Sequence, residues 1–487
     1  MFSLRVTGRL AAIIFFFLPV TTFALDARPN FVVVLCDDLG YGDLACFGHP
    51  KIKTARLDRM AKEGVRFSNF YSSAPVCSPS RVGLMTGRSP NRAGVFDWIP
   101  PAGTGKRDDN RDLVHMRREE PTIANLLKKA GYATCMSGKW HCNSRFNNAA
   151  QPQPGDAGFD HWFATQNNAS PSHLNPKNFV RNGTPVGPLR GSSCQLVVDE
   201  AIDWLEKQQK ATPDQPFFIY VAYHEPHEPV ASPDALVKKY LAVSKNRNQA
   251  EYFANVHNLD AATGRLLDSL DRLGVEKNTL VVFSSDNGPE TLNRYGGAGR
   301  SYGTPAPLRG MKLWTTEAGF RVSGIARWPG TIPAGKVSSE VVSALDLLPT
   351  FCSLAGVKLP TGRTFDGTNC TAALKGGSLV REKPLIWCYY NAINERRVAM
   401  REGDWKVLAR LVDGDGKALK SLQNLHPGNA ANVKSAKLAD VQIFKVVDDI
   451  AEKTDLATSQ PDEAKRLRAK LDTAYAQLVE NSLVWER

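Results

Sequence analysis

The sequence predicts an α/β protein: a large mixed, mostly parallel sheet sandwiched by helices, followed by a smaller C-terminal α+β domain. Three observations predict it. Continuous apolar, β-branched runs alternate with amphipathic stretches of helical period, the pattern of buried parallel strands joined by crossover helices. Four of those runs end in charged or polar clusters, which suits the carboxyl edge of a parallel sheet, where ligands bind. Past residue 361 the chain turns to short strands and closes on one charged helix.

The 487 residues suffice for one large and one smaller domain. With 42% apolar and 23% charged residues the chain is an ordinary globular one, which excludes a disordered or fibrous class. Residues 1–24 read as an export signal: Arg5 and Arg9 precede a short apolar core, and Thr22 and Ala24 suit cleavage before Leu25. That core is too short for a comfortable membrane span, and no other stretch is apolar enough to cross a bilayer. The expected domains are therefore a signal at 1–24, a catalytic domain at 25–365 and a C-terminal subdomain at 366–487. Without the two signal arginines the net charge falls from +12 to +10. With no dense basic run and no nucleic-acid module, an acidic ligand fits this surplus better than nucleic acid.

In chain order, the first strand is 30–36 (Asn-Phe-Val-Val-Val-Leu-Cys), which ends in Asp37-Asp38-Leu39-Gly40. Residues 55–65 form an amphipathic helix stopped by Gly64. Pro75-Val-Cys-Ser-Pro-Ser-Arg81 reads as a sharp turn into a helix, with Ser78 as N-cap and Pro79 in the first helical position. Cys77 then lies just ahead of a helix N-terminus, close to Arg81, a place that favours an anion and a reactive thiol. Residues 97–120 are a polar insertion, and 121–130 a helix ended by Gly131. A strand at 132–137 leads into Gly138-Lys139-Trp140-His141, where extended chain would point Lys139 and His141 to one face.

Residues 143–195, rich in Asn, Pro and Gly, read as a loop region shaping a substrate mouth. A helix spans 194–208. The strand at 216–223 runs into His224-Glu-Pro-His227, a long helix covers 251–273, and the strand at 279–285 ends in Asp286-Asn287-Gly288. A Gly-rich loop then reaches Lys312, a short strand lies at 324–327, and the helix at 345–355 is broken by Pro349. Beyond the boundary come strands at 385–390, 398–401, 405–408 and 441–447, then a helix at 461–479.

Asp37, Asp38, Asp286 and Asn287 offer only oxygen ligands, the preference of a hard cation such as Ca²⁺ or Mg²⁺. Arg81, Lys139 and Lys312 supply positive charge for an oxyanion. His141 and His227 supply proton transfer near neutral pH. Together these groups suit hydrolysis or transfer of a tetrahedral oxyanion ester. The nine cysteines leave at least one unpaired, and in an exported protein a leftover thiol calls for a chemical reason.

Cys77-Ser-Pro-Ser-Arg81 with Leu84-Met-Thr-Gly87, and Gly138-Lys-Trp-His141, resemble the two signatures of the type I, formylglycine-dependent sulfatases, of the arylsulfatase and N-acetylgalactosamine-6-sulfatase kind. Arg401-Glu-Gly-Asp-Trp-Lys406 and Asp449 to Leu456 resemble that family's small C-terminal domain. The resemblance implies an alkaline-phosphatase-like fold and export to a periplasm, the outside or, in a eukaryote, the lysosome. It also implies oxidation of Cys77 to formylglycine (3-oxoalanine) by a separate formylglycine-generating maturation enzyme. Asp37, Asp38, Asp286 and Asn287 would hold one Ca²⁺ (or Mg²⁺), with the hydrated residue 77 as a further ligand. Arg81 would steady that residue, Lys139 and Lys312 would grip sulfate, His227 would serve the leaving oxygen, and His141 the second hydroxyl. Cys142-Asn143, Ala318 and Ser323 depart from the family pattern without touching these positions. The implied substrate is a small-molecule or oligosaccharide sulfate ester, with sulfated carbohydrate expected. His115, Arg117, Asn167, Asn168, His173 and Arg300 are expected at the substrate rim. The alternatives are a phosphatase or phosphodiesterase of the same superfold, a non-catalytic binder of sulfated glycans, and a Cys–His thiol hydrolase.

Overall fold

The computed structural model describes residues 1–3, 28–104, 110–291 and 293–486. The signal reading falls on residues mostly outside these, as does the middle of the polar insertion.

The large sheet is built from β1 (Asn30–Asp37), β2 (Val65–Tyr71), β3 (Ala133–Lys139), β4 (His161–Thr165), β5 (Val180–Arg181), β6 (Thr184–Pro185), β7 (Phe217–Pro226), β8 (Thr279–Ser285), β9 (Arg321–Arg327), β10 (Lys336–Ser338) and β11 (Val342–Ser343). Its order is β10-β2-β9-β8-β1-β7-β3-β4-β5-β6, with β11 also on β2. The centre, β8-β1-β7-β3, is parallel throughout, and β9 joins it antiparallel. This architecture matches the expected α/β class.

Alternation along β1 explains why both faces are apolar. Phe31, Val33 and Leu35 pack into one core layer, and Val32, Val34 and Cys36 into the other. The first layer is covered by α2 (Cys77–Thr86), α4 (Ile123–Lys129) and α9 (Leu347–Leu354). The second is covered by α1 (Ala55–Glu63), α5 (Ser193–Ala211) and α7 (Arg247–Arg272), through residues such as Leu57, Val197 and Leu266. Each fully buried Val, Leu or Phe contributes roughly 1.5–3 kcal/mol, so the central strands are anchored from both sides. Shorter helices α3 (Pro90–Ala93), α6 (Asp234–Tyr240), α8 (Glu317–Phe320) and α10 (Thr371–Leu374) line the connections.

An antiparallel sheet of β12 (Leu385–Cys388), β13 (Val398–Glu402), β14 (Trp405–Val412) and β15 (Lys437–Lys445) forms the C-terminal unit. It carries α11 (Pro427–Ser435) and α12 (Pro461–Glu480), whose Leu467, Leu471 and Leu478 close its core. Cys370, Ala373 and Leu374 still belong to the large core, so the change of layer falls between α10 and β12. No helix among the described residues is long and apolar enough to cross a membrane.

Several local expectations are corrected. The helix of Cys77 starts at Cys77 itself, with extended Val76 as N-cap, and the Ser78 hydroxyl instead accepts from Ile99 N at 2.9 Å. Pro349 does not break α9. It is the third residue of the helix, where an N–H has no intrahelical acceptor to lose. The 143–195 region contains strands β4, β5 and β6, stabilised by pairing that periodicity does not reveal. All nine cysteines are free thiols.

Candidate active site

The four central parallel strands deliver the four polar ends to one place. Asp37 and Asp38 end β1, Asp286 and Asn287 follow β8, His227 follows β7, and Lys139 ends β3. Two glycines make the approach possible. A Cβ at Gly138 would lie 1.8 Å from Ala222 O, and one at Gly288 would lie 1.6 Å from Ala318 O. Asp38 (φ 62°) and His141 (φ 50°) are held in the left-handed region, a strain characteristic of functional positions. Because the chain turns there, Lys139 and His141 do not share the face of an extended strand, as expected from spacing. They still reach one site: Lys139 Nζ donates to Asp37 Oδ2 at 2.6 Å, and His141 Nε2 lies 2.9 Å from Ile99 O.

Carboxylate oxygens of Asp37 and Asp38, Cys77 Sγ and one imidazole nitrogen of His227 all lie within 4.8 Å of one another. Cations surround them. Arg81 is fully buried, donates from Nε to Asp286 Oδ2 at 2.9 Å and from Nη1 to Lys139 O at 3.0 Å, and its Nη2 is 2.7 Å from Asp286 Oδ2. Lys312 Nζ donates to Asp38 Oδ2 at 2.8 Å, and His227 Nε2 is 3.6 Å from the same oxygen. Asn287 Nδ2 donates to Asp38 Oδ1 at 2.7 Å, and Asp38 N to Asp286 Oδ1 at 3.2 Å.

This density of charge sets the protonation states. Burial alone would raise the Asp37 carboxyl, but Lys139, His227 and Arg81 outweigh it and hold it well below the usual range. Burial pushes Asp286 up to about 7, against the pull of Arg81. Burial, with Lys312 beside it, lowers His227 to about 4. Burial drives His141 well below the usual imidazole range, with Lys139 and Arg81 adding to it. Lys312 loses to burial but gains more from Asp38 and stays protonated.

Burial pushes the Cys77 thiol up to about 12 in spite of Lys139 and Lys312. The first reading of Cys77, a thiolate activated by Arg81, is thereby corrected: the guanidinium is committed to Asp286 and the thiol stays neutral.

A hard cation fits the oxygen cluster. Asp37 Oδ1 and Asn287 Oδ1 are buried and have no hydrogen-bond partner among the described residues, so both present free lone pairs beside Asp38 and Asp286.

The rim candidates divide. Arg300 lies close to His227, with its backbone N donating to Glu228 Oε1 and its guanidinium held by the Val230 carbonyl and Glu251. Asn167 and Asn168 are half-buried, and each keeps a side-chain oxygen without a partner among the described residues. His173 is not at a rim: it is fully buried, with Nδ1 3.2 Å from Asn255 Nδ2. His115 and Arg117 are half-buried, and each holds a neighbour. His115 packs on Trp485 with ring centroids 4.9 Å apart, and Arg117 donates to Glu120 Oε1 at 2.8 Å.

Pattern reading missed two groups. Tyr389, just past β12, packs against Cys77, and its hydroxyl donates to Asp97 Oδ1 at 3.0 Å. Lys406 of β14 is buried between Glu317 (3.0 Å) and Glu452 (3.4 Å). Apolar periodicity carries no trace of either. Lys406, Glu317 and Glu452 stand among other polar residues, so no local pattern marks them as a buried trio.

The fold and this site define a hydrolase of the sulfatase kind, and the chain belongs to the sulfatase family: the family model described as Sulfatase matches residues 29–357. N-acetylgalactosamine-6-sulfatase of Canis lupus familiaris is 35% identical over 379 residues, covering 74% of this chain and 68% of that protein. Human Arylsulfatase A is 34% identical over 409 residues, covering 79% and 75%. Among solved structures, Ps i-CgsB in complex with k-i-k-neocarrahexaose superposes with a TM-score of 0.75 at 28% identity over 94% of each chain. The chain is a sulfatase, an enzyme that hydrolyses sulfate esters.

Proposed function

We propose that this sulfatase releases sulfate from sulfated carbohydrates, using a formylglycine made from Cys77 and one hard divalent cation, Ca²⁺ in preference to Mg²⁺. The observation that carries it is the buried cluster of Asp37, Asp38, Cys77 and His227, ringed by Arg81, Lys139 and Lys312. A neutral thiol is a poor nucleophile and a tolerable precursor, which favours oxidation of Cys77 by a separate maturation enzyme over direct thiol catalysis. The signal at 1–24, export and a division of the rest into catalytic (from 25) and C-terminal (to 487) parts at 365/366 belong to the same reading, with α10 packed on the catalytic core although it follows that division.

Asp37, Asp38, Asp286 and Asn287 would hold the cation, which supplies charge stabilisation for the ester oxygens and lowers the pKa of a bound hydroxyl. Formylglycine at position 77, as its hydrate, would supply an oxygen nucleophile for sulfur as the alcohol leaves; proton loss from its second hydroxyl with cleavage of the carbon–oxygen bond to sulfate would return the aldehyde, so that one water is consumed per alcohol and hydrogen sulfate released. Lys139 and Lys312 orient the sulfate oxygens and stabilise charge that builds in the transition state. His227, with Nδ1 2.6 Å from the Glu228 carbonyl, leaves Nε2 for the leaving oxygen and would have to carry a proton there to release the alcohol. His141, anchored through Nε2, leaves its buried, unpartnered Nδ1 to take the proton of the second hydroxyl. Arg81 fixes Asp286 and the floor beneath residue 77.

Mass spectrometry of the peptide containing Cys77 tests the reading, because formylglycine lies about 18 Da below cysteine and is distinct from the oxygen-gaining thiol states. An active enzyme carrying only unmodified Cys77 would overturn it. A panel of sulfated sugars set against a small aryl sulfate tests the substrate class, and activity confined to the aryl ester would defeat the carbohydrate reading.

A further inference from the structure

A second basic concavity lies away from the catalytic cluster, at the end of α6. It is a cavity of about 220 Å³ lined by Lys51, Lys53, Lys239, Tyr240, Val243 and His257. No carboxylate lines it, and none of its three lysines forms an ion pair among the described residues. Neighbouring cations are neutralised, Arg247 by Asp234 at 2.7 Å and Arg56 by Asp268. The cavity is also built. Lys51 Nζ donates to Val243 O at 2.7 Å, which ties the 49–53 loop to the segment after α6. The Tyr240 hydroxyl accepts from Lys53 N at 3.1 Å, so its own proton goes to His257 Nδ1 at 2.7 Å. That bond leaves the imidazole proton on Nε2, a donor beside the three ammonium groups.

The segment that follows the cavity is bonded to the loop beside His227. His227 adjoins Glu228, which accepts from Arg300 N. In the same loop, the Gly299 carbonyl and the Tyr302 hydroxyl bind Asn248 and Asn246, three to five residues past Val243.

Resting on the carbohydrate reading above, we infer that this cavity is an exosite that docks a second sulfate group of a polyanionic sulfated chain while another sulfate occupies the catalytic cluster. Uncompensated lysines in a concave wall focus positive potential and attract polyanions by charge, with little demand on sugar sequence. Sulfate groups repeat along such a chain, so for a molecule long enough to span both sites the second contact becomes intramolecular.

The test compares wild type with Lys51→Ser/Lys53→Ser/Lys239→Ser and with a control of equal charge loss, Lys417→Ser/Lys420→Ser/Lys434→Ser. Affinity for labelled dextran sulfate is measured by anisotropy at low and moderate salt, alongside turnover of a small aryl sulfate. Loss of three charge contacts is expected to weaken dextran sulfate binding by about tenfold at low salt and to flatten its salt dependence. Aryl sulfate kcat and KM should stay within about twofold of wild type, which also reports that the variant folds. Dextran sulfate binding unchanged in the cavity variant, or weakened as much in the control, overturns the exosite. A wild type that binds the polymer through these lysines yet cleaves only aryl esters defeats the carbohydrate reading and with it two-site docking, whereas carbohydrate cleavage with binding unchanged in the cavity variant overturns the exosite alone.

Discussion

Lys312 carries the clearest single-residue consequence. Its ammonium sits 2.8 Å from Asp38, one of the proposed metal ligands, and is proposed to hold the sulfate. Lys312→Ala is expected to lower kcat on an aryl sulfate by about 10²–10³-fold, the cost of one electrostatic donor in a buried site, with far-UV circular dichroism unchanged. A fall of less than about fivefold would remove Lys312 from the catalytic group. His49, outside the site, gives a pH signature. Its Nδ1 accepts from Lys51 N and Ile52 N, so the folded state needs it unprotonated, and burial lowers it to about 4. The unfolded chain binds that proton near pH 6.5, so the His49 contribution is present above about 6.5 and is lost as pH falls toward 4. Urea midpoints between pH 7 and 4 should fall less steeply for His49→Asn, whose side-chain oxygen can accept the same N–H groups without titrating. Parallel curves for the two proteins would contradict this.

Among elements, β3 shows how a strand is selected for its neighbour. Gly138 (φ 117°) pairs with Ala222 of β7 so closely that no side chain fits. Gly138→Ala is expected to cost about 1–3 kcal/mol or more in urea unfolding, and to lower activity by pushing Lys139 off Asp37. Wild-type stability in that variant would show that the two strands can separate without cost. The central strands and long helices were legible because burial imprints periods of 2 and 3.6 on the sequence. The strand Val65–Tyr71 was not read, although it leads straight into Cys77, because an amphipathic helix and a signature turn crowd it on both sides. The two-residue strands Val180–Arg181 and Thr184–Pro185 were also not read, although Asn182-Gly183 between them is a local hairpin signal, because strands this short show no alternation.

For the whole molecule, the joint between the large sheet and the C-terminal unit combines an apolar layer, with Phe320 stacked on Trp387 at 4.0 Å, and a buried ionic cluster. Lys406 bridges Glu317 and Glu452, Arg321 also pairs with Glu317, and Glu452 accepts from Glu317 N at 2.8 Å. Glu317 opens α8, whose Ala318 and Gly319 pack under Gly288 beside Asn287. The C-terminal unit therefore braces the catalytic edge. Lys406→Met leaves two buried carboxylates without their shared cation and is expected to cost about 3–5 kcal/mol, read as a lower thermal midpoint with a parallel loss of turnover. Unchanged stability would mean that packing alone holds the units together.

The sequence by itself determined the fold class, the strand ends that bear chemistry and, through two short signatures, the family. These properties are local: strand and helix periods, turn residues and adjacent motif residues all lie close together along the chain. Only the tertiary structure decided that Arg81 serves Asp286 while burial leaves Cys77 neutral, that His173 is fully buried, and that Tyr389 of the C-terminal unit covers residue 77. Each of those outcomes depends on burial and on partners far along the chain. Whether a charge is desolvated or paired is a property of the space around it, and the chain defines that space only by folding.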